Sequence, residues 1–212
     1  EMSAVLAHEI RNPLASLKGH AQLLEESLEE GSKARAKAER VVREALRIEH
    51  LTTDLLAFVR SGTLSRRDVD PRLLAEEAIA TSGLSDRIVL CAESAPKHAD
   101  LDADRVRGAI ENLLQNAGDA APLGKITLTL THDASAVIFE VRDAGPGIPK
   151  DQLERIFAPF HTTRTQGTGL GLAVARRIAE AHGGSLVARN VEPGGACFTL
   201  RLADAVASEE RG

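Results

Sequence analysis

The sequence predicts an all-α helical hairpin, able to form a four-helix bundle on dimerisation, followed by an α+β two-layer sandwich. Three observations predict it. Apolar residues recur at alternating spacings of three and four through residues 1–61, with a single interruption at Gly31. Beyond Gly62 that rhythm gives way to helical stretches interleaved with short segments that alternate at period two. Residues 144–168 are punctuated by Gly and Pro with little apolar rhythm, a long loop of the kind reserved for binding or for lids.

The first helix is read over 1–30, where Ala7, Ile10, Leu14, Leu17, Ala21, Leu24 and Leu28 form a seam. Gly31 breaks the pattern and Ser32 can cap a second helix. Over 33–61 the residues Val41, Ala45, Ile48, Thr52, Leu55 and Val59 repeat the rhythm, and Val42, Leu51 and Leu56 widen the apolar face. Two long helices with a short connection make an antiparallel hairpin, whose core is too small to stand alone. Dimerisation into a four-helix bundle is the economical solution, with packing against the rest of the same chain as the alternative. Residues 62–68 read as a linker. Helices follow near 71–82, 103–120 and 169–182, and strands near 87–91, 126–130, 136–141, 185–190 and 196–202. The domain division is therefore 1–61, 62–68, 69–205 and a tail at 206–212.

The 212 residues and 43% apolar content suffice for a real core. A net charge of −5 without long like-charge blocks argues against nucleic-acid binding. Cys91 and Cys197 lack metal-ligand spacing and fit a reducing compartment. No stretch reaches the roughly 20 apolar residues of a membrane span, so no membrane contact is expected of these residues. The start at Glu1-Met2, so close to a histidine of interest, suggests a fragment whose sensor or membrane anchor would lie upstream; the fragment itself is expected to be cytoplasmic.

Five stretches carry chemistry. His8-Glu9-Ile10-Arg11-Asn12-Pro13 lies early on the first helix, with His8 just off the Ala7/Ile10 seam and so expected to be accessible. An exposed imidazole beside a carboxylate can act as a nucleophile, and Glu9 can take a proton from the ring. Pro13 removes one helical N–H, which predicts a bend one turn on. Asn12 stands where a zinc-protease motif needs its second His, which excludes that chemistry. Alone, the hexapeptide is equally compatible with a surface histidine.

Asn112 and Asn116 stand one turn apart on a helix, and their carboxamide oxygens suit Mg2+. Asp143-Ala-Gly145-Pro-Gly147-Ile-Pro149 follows a strand. An Asp there can accept from the exocyclic amine of adenine, and the glycines let the backbone approach the base. Gly167-Thr168-Gly169-Leu170-Gly171-Leu172 leads into a helix, whose N–H groups and dipole favour phosphate. It is neither a P-loop nor the dinucleotide fingerprint. Between the glycine segments, Phe157 and Phe160 offer two apolar anchors and Arg164 a cation, a combination that suits a lid.

In order, these segments resemble the histidine, asparagine, first glycine, phenylalanine and second glycine boxes of bacterial two-component sensor histidine kinases, over nearly the whole chain. The hairpin is similar to their dimerisation and histidine-phosphotransfer domain. The remainder is similar to the ATP-binding domain shared with gyrase, Hsp90 and MutL. The resemblance implies that His8 is phosphorylated at Nε2 from ATP, with Glu9 as proton acceptor. It implies that Asn116 coordinates Mg2+ and Asn112 lines the phosphates, while Asp143 holds the adenine amine with access given by Gly145 and Gly147. Gly167, Thr168, Gly169, Leu170 and Gly171 would supply backbone donors, and Phe160, Thr163 and Arg164 would complete the site from the lid. Arg164 replaces the Lys often found there, keeping charge but changing geometry. Asn12 matches a position that orients a hydrolytic water during phosphatase action. Asp119 departs from a basic residue common in the family and, with Arg11-Asn12-Pro13, points to the nitrogen-regulatory-kinase subgroup. The implied partners are a second copy, through the hairpin, and the receiver domain of a response regulator. The rival readings are an ATP-driven clamp without phosphohistidine and a degenerate kinase acting as a scaffold.

Overall fold

The computed structural model describes the backbone of residues 2–59, 63–162 and 167–203, and side chains from Asn12 onward within those ranges except at positions 50, 54, 57 and 59. Two compact units are present, Glu1–Ser61 with Thr162–Leu170, and Gly62–His161 with Gly171–Gly212.

The first unit is built on α1 (Met2–Ser27) and α2 (Lys33–Val59). Gly31 takes a φ of 75°, and Ser32 caps α2 by accepting from the Arg35 N–H at 3.1 Å, as its position predicts. The helix α1 runs through Pro13 without interruption. A Lys18–Glu49 ion pair at 3.0 Å links the two helices. The buried apolar residues are small ones, Ala21, Ala38, Val42 and Ala45. Ala21 and Ala45 belong to the expected seam, of which Leu14, Leu28 and Thr52 are half-buried. Leu17, Leu24, Val41, Ile48 and Leu55 are between 43% and 54% exposed, so the bulky row lies open while alanines let the two backbones approach.

The second unit has a five-stranded sheet in the order β2-β4-β5-β7-β6, formed by Ile88–Cys91, Ile126–Asp133, Ala136–Arg142, Ala196–Ala203 and Ser185–Asn190. Only the β2–β4 pairing is parallel. A separate ribbon pairs β1 (Arg67–Val69) with β3 (Ala99–Leu101). Strand β1 occupies the last two residues of the expected linker, and β3 was not anticipated at all. Three helices, α3 (Pro71–Thr81), α4 (Ala103–Ala120) and α5 (Gly171–Ala181), complete the unit. The strand alternation is real: Leu128, Leu130, Phe139, Val141, Phe198 and Leu200 are buried with the helices' apolar residues. Their neighbours Thr127, Thr129, Glu140 and Thr199 are half-buried on the opposite face, as a two-layer sandwich requires. Cys197 is buried there near Glu140, and burial first, then that carboxylate, pushes its thiol pKa up; both cysteines are free.

Two aspartates cap helices. Asp70 accepts from the Arg72 and Leu73 N–H groups ahead of α3, with Pro71 in the first turn. Asp102 caps α4 through the Arg105 N–H and is itself nearly buried. Its Oδ2 also accepts from the Ser65 N–H at 2.9 Å, and its own N–H donates to His182 Nε2 at 3.2 Å. His182 follows α5 and has no solvent exposure, with Nδ1 lying 2.8 Å from the Ile178 carbonyl. Because Nε2 accepts, Nδ1 carries the proton and the ring is neutral.

Candidate functional site

The site in the second unit begins where β5 ends. The Asp143 N–H donates to the Ala196 carbonyl at 3.0 Å, carrying the β5–β7 ladder one residue further and drawing the carboxyl inside. Asp143 is 3% exposed. Its Oδ1 accepts from the Gly145 N–H at 2.8 Å and from the Ala196 N–H at 3.2 Å. Its Oδ2 has no hydrogen-bond partner and is the one such buried side-chain atom among the described residues. A buried acceptor left unmatched is costly, so an oxygen held this way at a glycine turn is suited to an N–H donor on a ligand.

The turn is shaped by close contacts. A methyl at Gly145 would lie 2.8 Å from the Ala120 carbonyl, so the turn presses on the end of α4. Gly147 has a φ of 79°, a left-handed conformation that side chains rarely take. Asn190 and Gly195, which sequence reasoning missed, brace the turn from β6 and β7. A glycine pair between two strand patterns was the available signal for Gly195; nothing local marks Asn190.

Asn112 and Asn116 are both half-buried on α4, one turn apart as expected. Gly171 opens α5 against the same helix, and a methyl there would lie 3.2 Å from Asn112 Oδ1. Asp143, Gly145, the end of α4, Asn112 and Gly171 thus belong to one connected region. Among the described residues no group of three or more His, Cys, Asp or Glu could hold a metal ion. Asp119, on the same helix, accepts from Gln115 Nε2 at 3.0 Å.

The two phenylalanines differ. Phe157 is buried, with the Arg176 guanidinium 5.6 Å from its ring centroid, and anchors the segment as expected. Phe160 does not anchor it: the side chain is 63% exposed and its φ is 62°, an uncommon conformation for an aromatic residue. Thr163 and Arg164 lie outside the described residues.

In the first unit, His8 and Glu9 fall within α1, but their side chains lie outside those described. Asn12 is exposed on the same helix, one turn beyond His8. Gly167, Thr168 and Gly169 are half-buried and Leu170 is fully buried. The Leu170 N–H donates to Thr168 Oγ1 at 3.2 Å, and Gly169 has a φ of 69°. The expected phosphate segment is divided, with Gly167–Leu170 in the first unit and Gly171 in the second.

Residues 101–206 match the family model of the histidine kinase-, DNA gyrase B-, and HSP90-like ATPases, half of the chain. Residues 1–64 match that of the His Kinase A (phospho-acceptor) domain. The chain belongs to the histidine kinase-, DNA gyrase B-, and HSP90-like ATPase family, and its two matches together place it among the two-component histidine kinases. It is 36% identical over 207 residues to the sensor histidine kinase ZraS of Escherichia coli O157:H7, covering 95% of this chain and 45% of that protein. Among solved structures it resembles full-length ShkA in complex with AMPPNP, with a TM-score of 0.75 and 28% identity over 98% of this chain and 46% of ShkA. It also resembles the histidine kinase ThkA in complex with the response regulator protein TrrA, with a TM-score of 0.65 and 27% identity over 96% of this chain and 62% of ThkA. The chain thus spans less than half the length of ZraS. No described helix is long and apolar enough to cross a membrane.

Proposed function

We propose that this chain is the catalytic core of a two-component sensor kinase that binds Mg-ATP, phosphorylates its own His8 and passes the phosphoryl group to an aspartate on a response regulator. The observation that carries this reading is Asp143 Oδ2, buried, unpartnered and set at a glycine turn beside the carboxamide-bearing helix α4. Adenine offers an exocyclic amine to such an oxygen, and the glycines leave room for a flat base. The AMPPNP bound by the similar ShkA supports the same ligand class.

His8 Nε2 would attack the γ-phosphorus in line; an N–P bond forms as the bond to the β,γ-bridging oxygen breaks, and ADP leaves with that electron pair. Glu9 would take the proton from the other ring nitrogen. Asn116, with Asn112 close by, would hold Mg2+, which when bound neutralises charge on the phosphates. Gly167–Leu170 and the N-terminus of α5 at Gly171 would offer N–H groups to phosphate oxygens, with Thr163 and Arg164 on the lid. In the second transfer the N–P bond breaks as the receiver carboxylate forms an O–P bond. The TrrA complex of the similar ThkA supports a receiver partner. Asn12 would orient water when the same core removes phosphate from the partner. Arg11-Asn12-Pro13 and Asp119 favour the nitrogen-regulatory subgroup, and the open row of Leu and Ile on the hairpin favours a homodimer.

The test is incubation with γ-labelled ATP and Mg2+, comparing wild type with His8→Gln and Asn116→Ala. The expected result is a label that is lost in acid and kept in base, on wild type alone. ATP binding without any protein label would overturn the kinase reading in favour of a clamp or a degenerate kinase acting as a scaffold, and a chain extended upstream of His8 would separate those from a core cut too short to react.

A further inference from the structure

Asn190 ends β6, where the chain turns back toward β7. Its side chain makes two short hydrogen bonds to a single backbone residue 42 positions away. The Ile148 N–H donates to Oδ1 at 2.7 Å, and Nδ2 donates to the Ile148 carbonyl at 2.7 Å. A side-chain amide thereby stands in for the strand partner that this irregular stretch lacks. Ile148 directly follows Gly147, and a methyl at Gly147 would sit 2.8 Å from the same Asn190 Oδ1.

The other end of the loop is gripped from β7. The Ala196 N–H donates to Asp143 Oδ1, and Gly195 comes so close that a methyl there would lie 2.0 Å from the Asp143 carbonyl oxygen. The β6–β7 turn is closed by the Val191 N–H donating to the Gly195 carbonyl at 3.0 Å, and Arg142 Nη2 donates to the Glu192 carbonyl at 2.8 Å. One turn therefore holds both ends of the loop that carries the unpartnered Asp143 Oδ2.

We propose that Asn190 is a positioning residue for the nucleotide base: its paired hydrogen bonds to Ile148 keep the Asp143–Ile148 loop in the shape that receives adenine. This rests on the adenine-nucleotide reading given above. A loop with two glycines in six residues has much freedom to lose on binding, and holding it beforehand removes that cost from each binding event. The base is chemically unchanged when a phosphoryl group moves, so the effect falls on ground-state binding.

The experiment measures ATP-dependent labelling over a range of ATP concentrations for wild type, Asn190→Ala and Asn190→Asp. Asp keeps an acceptor for the Ile148 N–H but sets its second oxygen against the Ile148 carbonyl. Both variants should raise KM for ATP roughly three- to tenfold, the scale of one net hydrogen bond, with kcat within about twofold of wild type. Hydrogen exchange of the Ile148 amide should quicken in Asn190→Ala. An unchanged KM, or a fall in kcat at constant KM, overturns the proposal, whatever the exchange rate does. Equilibrium titration with ATP gives the same comparison should labelling be absent. Wild type that neither labels nor binds ATP sinks the adenine reading itself, whereas an active wild type with indifferent Asn190 variants sinks this inference alone.

Discussion

Replacing Asp143 by Asn alters one atom in the site and leaves its frame standing. The amide oxygen can still accept from the Gly145 and Ala196 N–H groups, at 2.8 and 3.2 Å in wild type, so the turn and the β5–β7 ladder survive. What changes is the second position, where a buried oxygen without a partner becomes an NH2 donor. The amine of adenine would then face another donor. The loss has two parts: one hydrogen bond, worth about 0.5–1.5 kcal/mol net, and unmatched donors in a desolvated place, costing about 1–3 kcal/mol. Together they come to about 1.5–4.5 kcal/mol, or roughly tenfold to two-thousandfold weaker binding of ATP. A base with a carbonyl at the corresponding carbon, as in GTP, should lose far less or gain. Calorimetric titration with ATP and GTP, beside thermal melts of the free proteins, reads both effects. Asp143→Asn that melts like wild type and binds ATP within threefold of it would show that Oδ2 does not meet the base.

Two further predictions concern assembly and pH. The exposed hairpin row should pair between copies, so Leu24→Glu combined with Ile48→Glu should turn a dimer into a monomer in light scattering, given about 1.5–3 kcal/mol for each large side chain buried; a monomeric wild type would remove the dimer from the proposal. His182 has its pKa lowered, first by burial, while the Ile178 carbonyl and Asp102 oppose that and Arg66 and Arg105 add to it. Its stabilising contribution is complete above the unfolded value of about 6.5 and is lost as pH falls from there through the lower folded value, because the unfolded chain takes the proton first. His182→Gln, which can keep an acceptor for the Asp102 N–H, should flatten the loss of stability below pH 6.5 in urea titrations. An unaltered slope would place that pH dependence elsewhere.

Much of the fold was legible because it is local. The three-and-four spacing marked α1 and α2, Ser32 and Gly31 marked their junction, and alternation marked β4, β5 and β7, since each pattern reports backbone geometry within a few residues. The candidate site residues were legible for the same reason: Asp143, Gly145, Gly147, Asn112 and Asn116 stand in short runs whose composition is unusual. Strands β1 and β3 were not, because three residues are too few to show a period, and each is a strand only through pairing with the other across thirty or more positions. The burial of Phe157 against the exposure of Phe160 depends on where α5 passes, which no spacing records. The hairpin's inner face likewise fell to Ala21, Ala38, Val42 and Ala45 because helices approach most closely over small side chains, leaving the larger row open. The sequence by itself determined the order of elements and the kind of atom each box offers. Only the tertiary structure decided that Asp143 Oδ2 is buried without a partner and that Asn190 clamps Ile148, since both depend on distant segments brought within hydrogen-bonding reach.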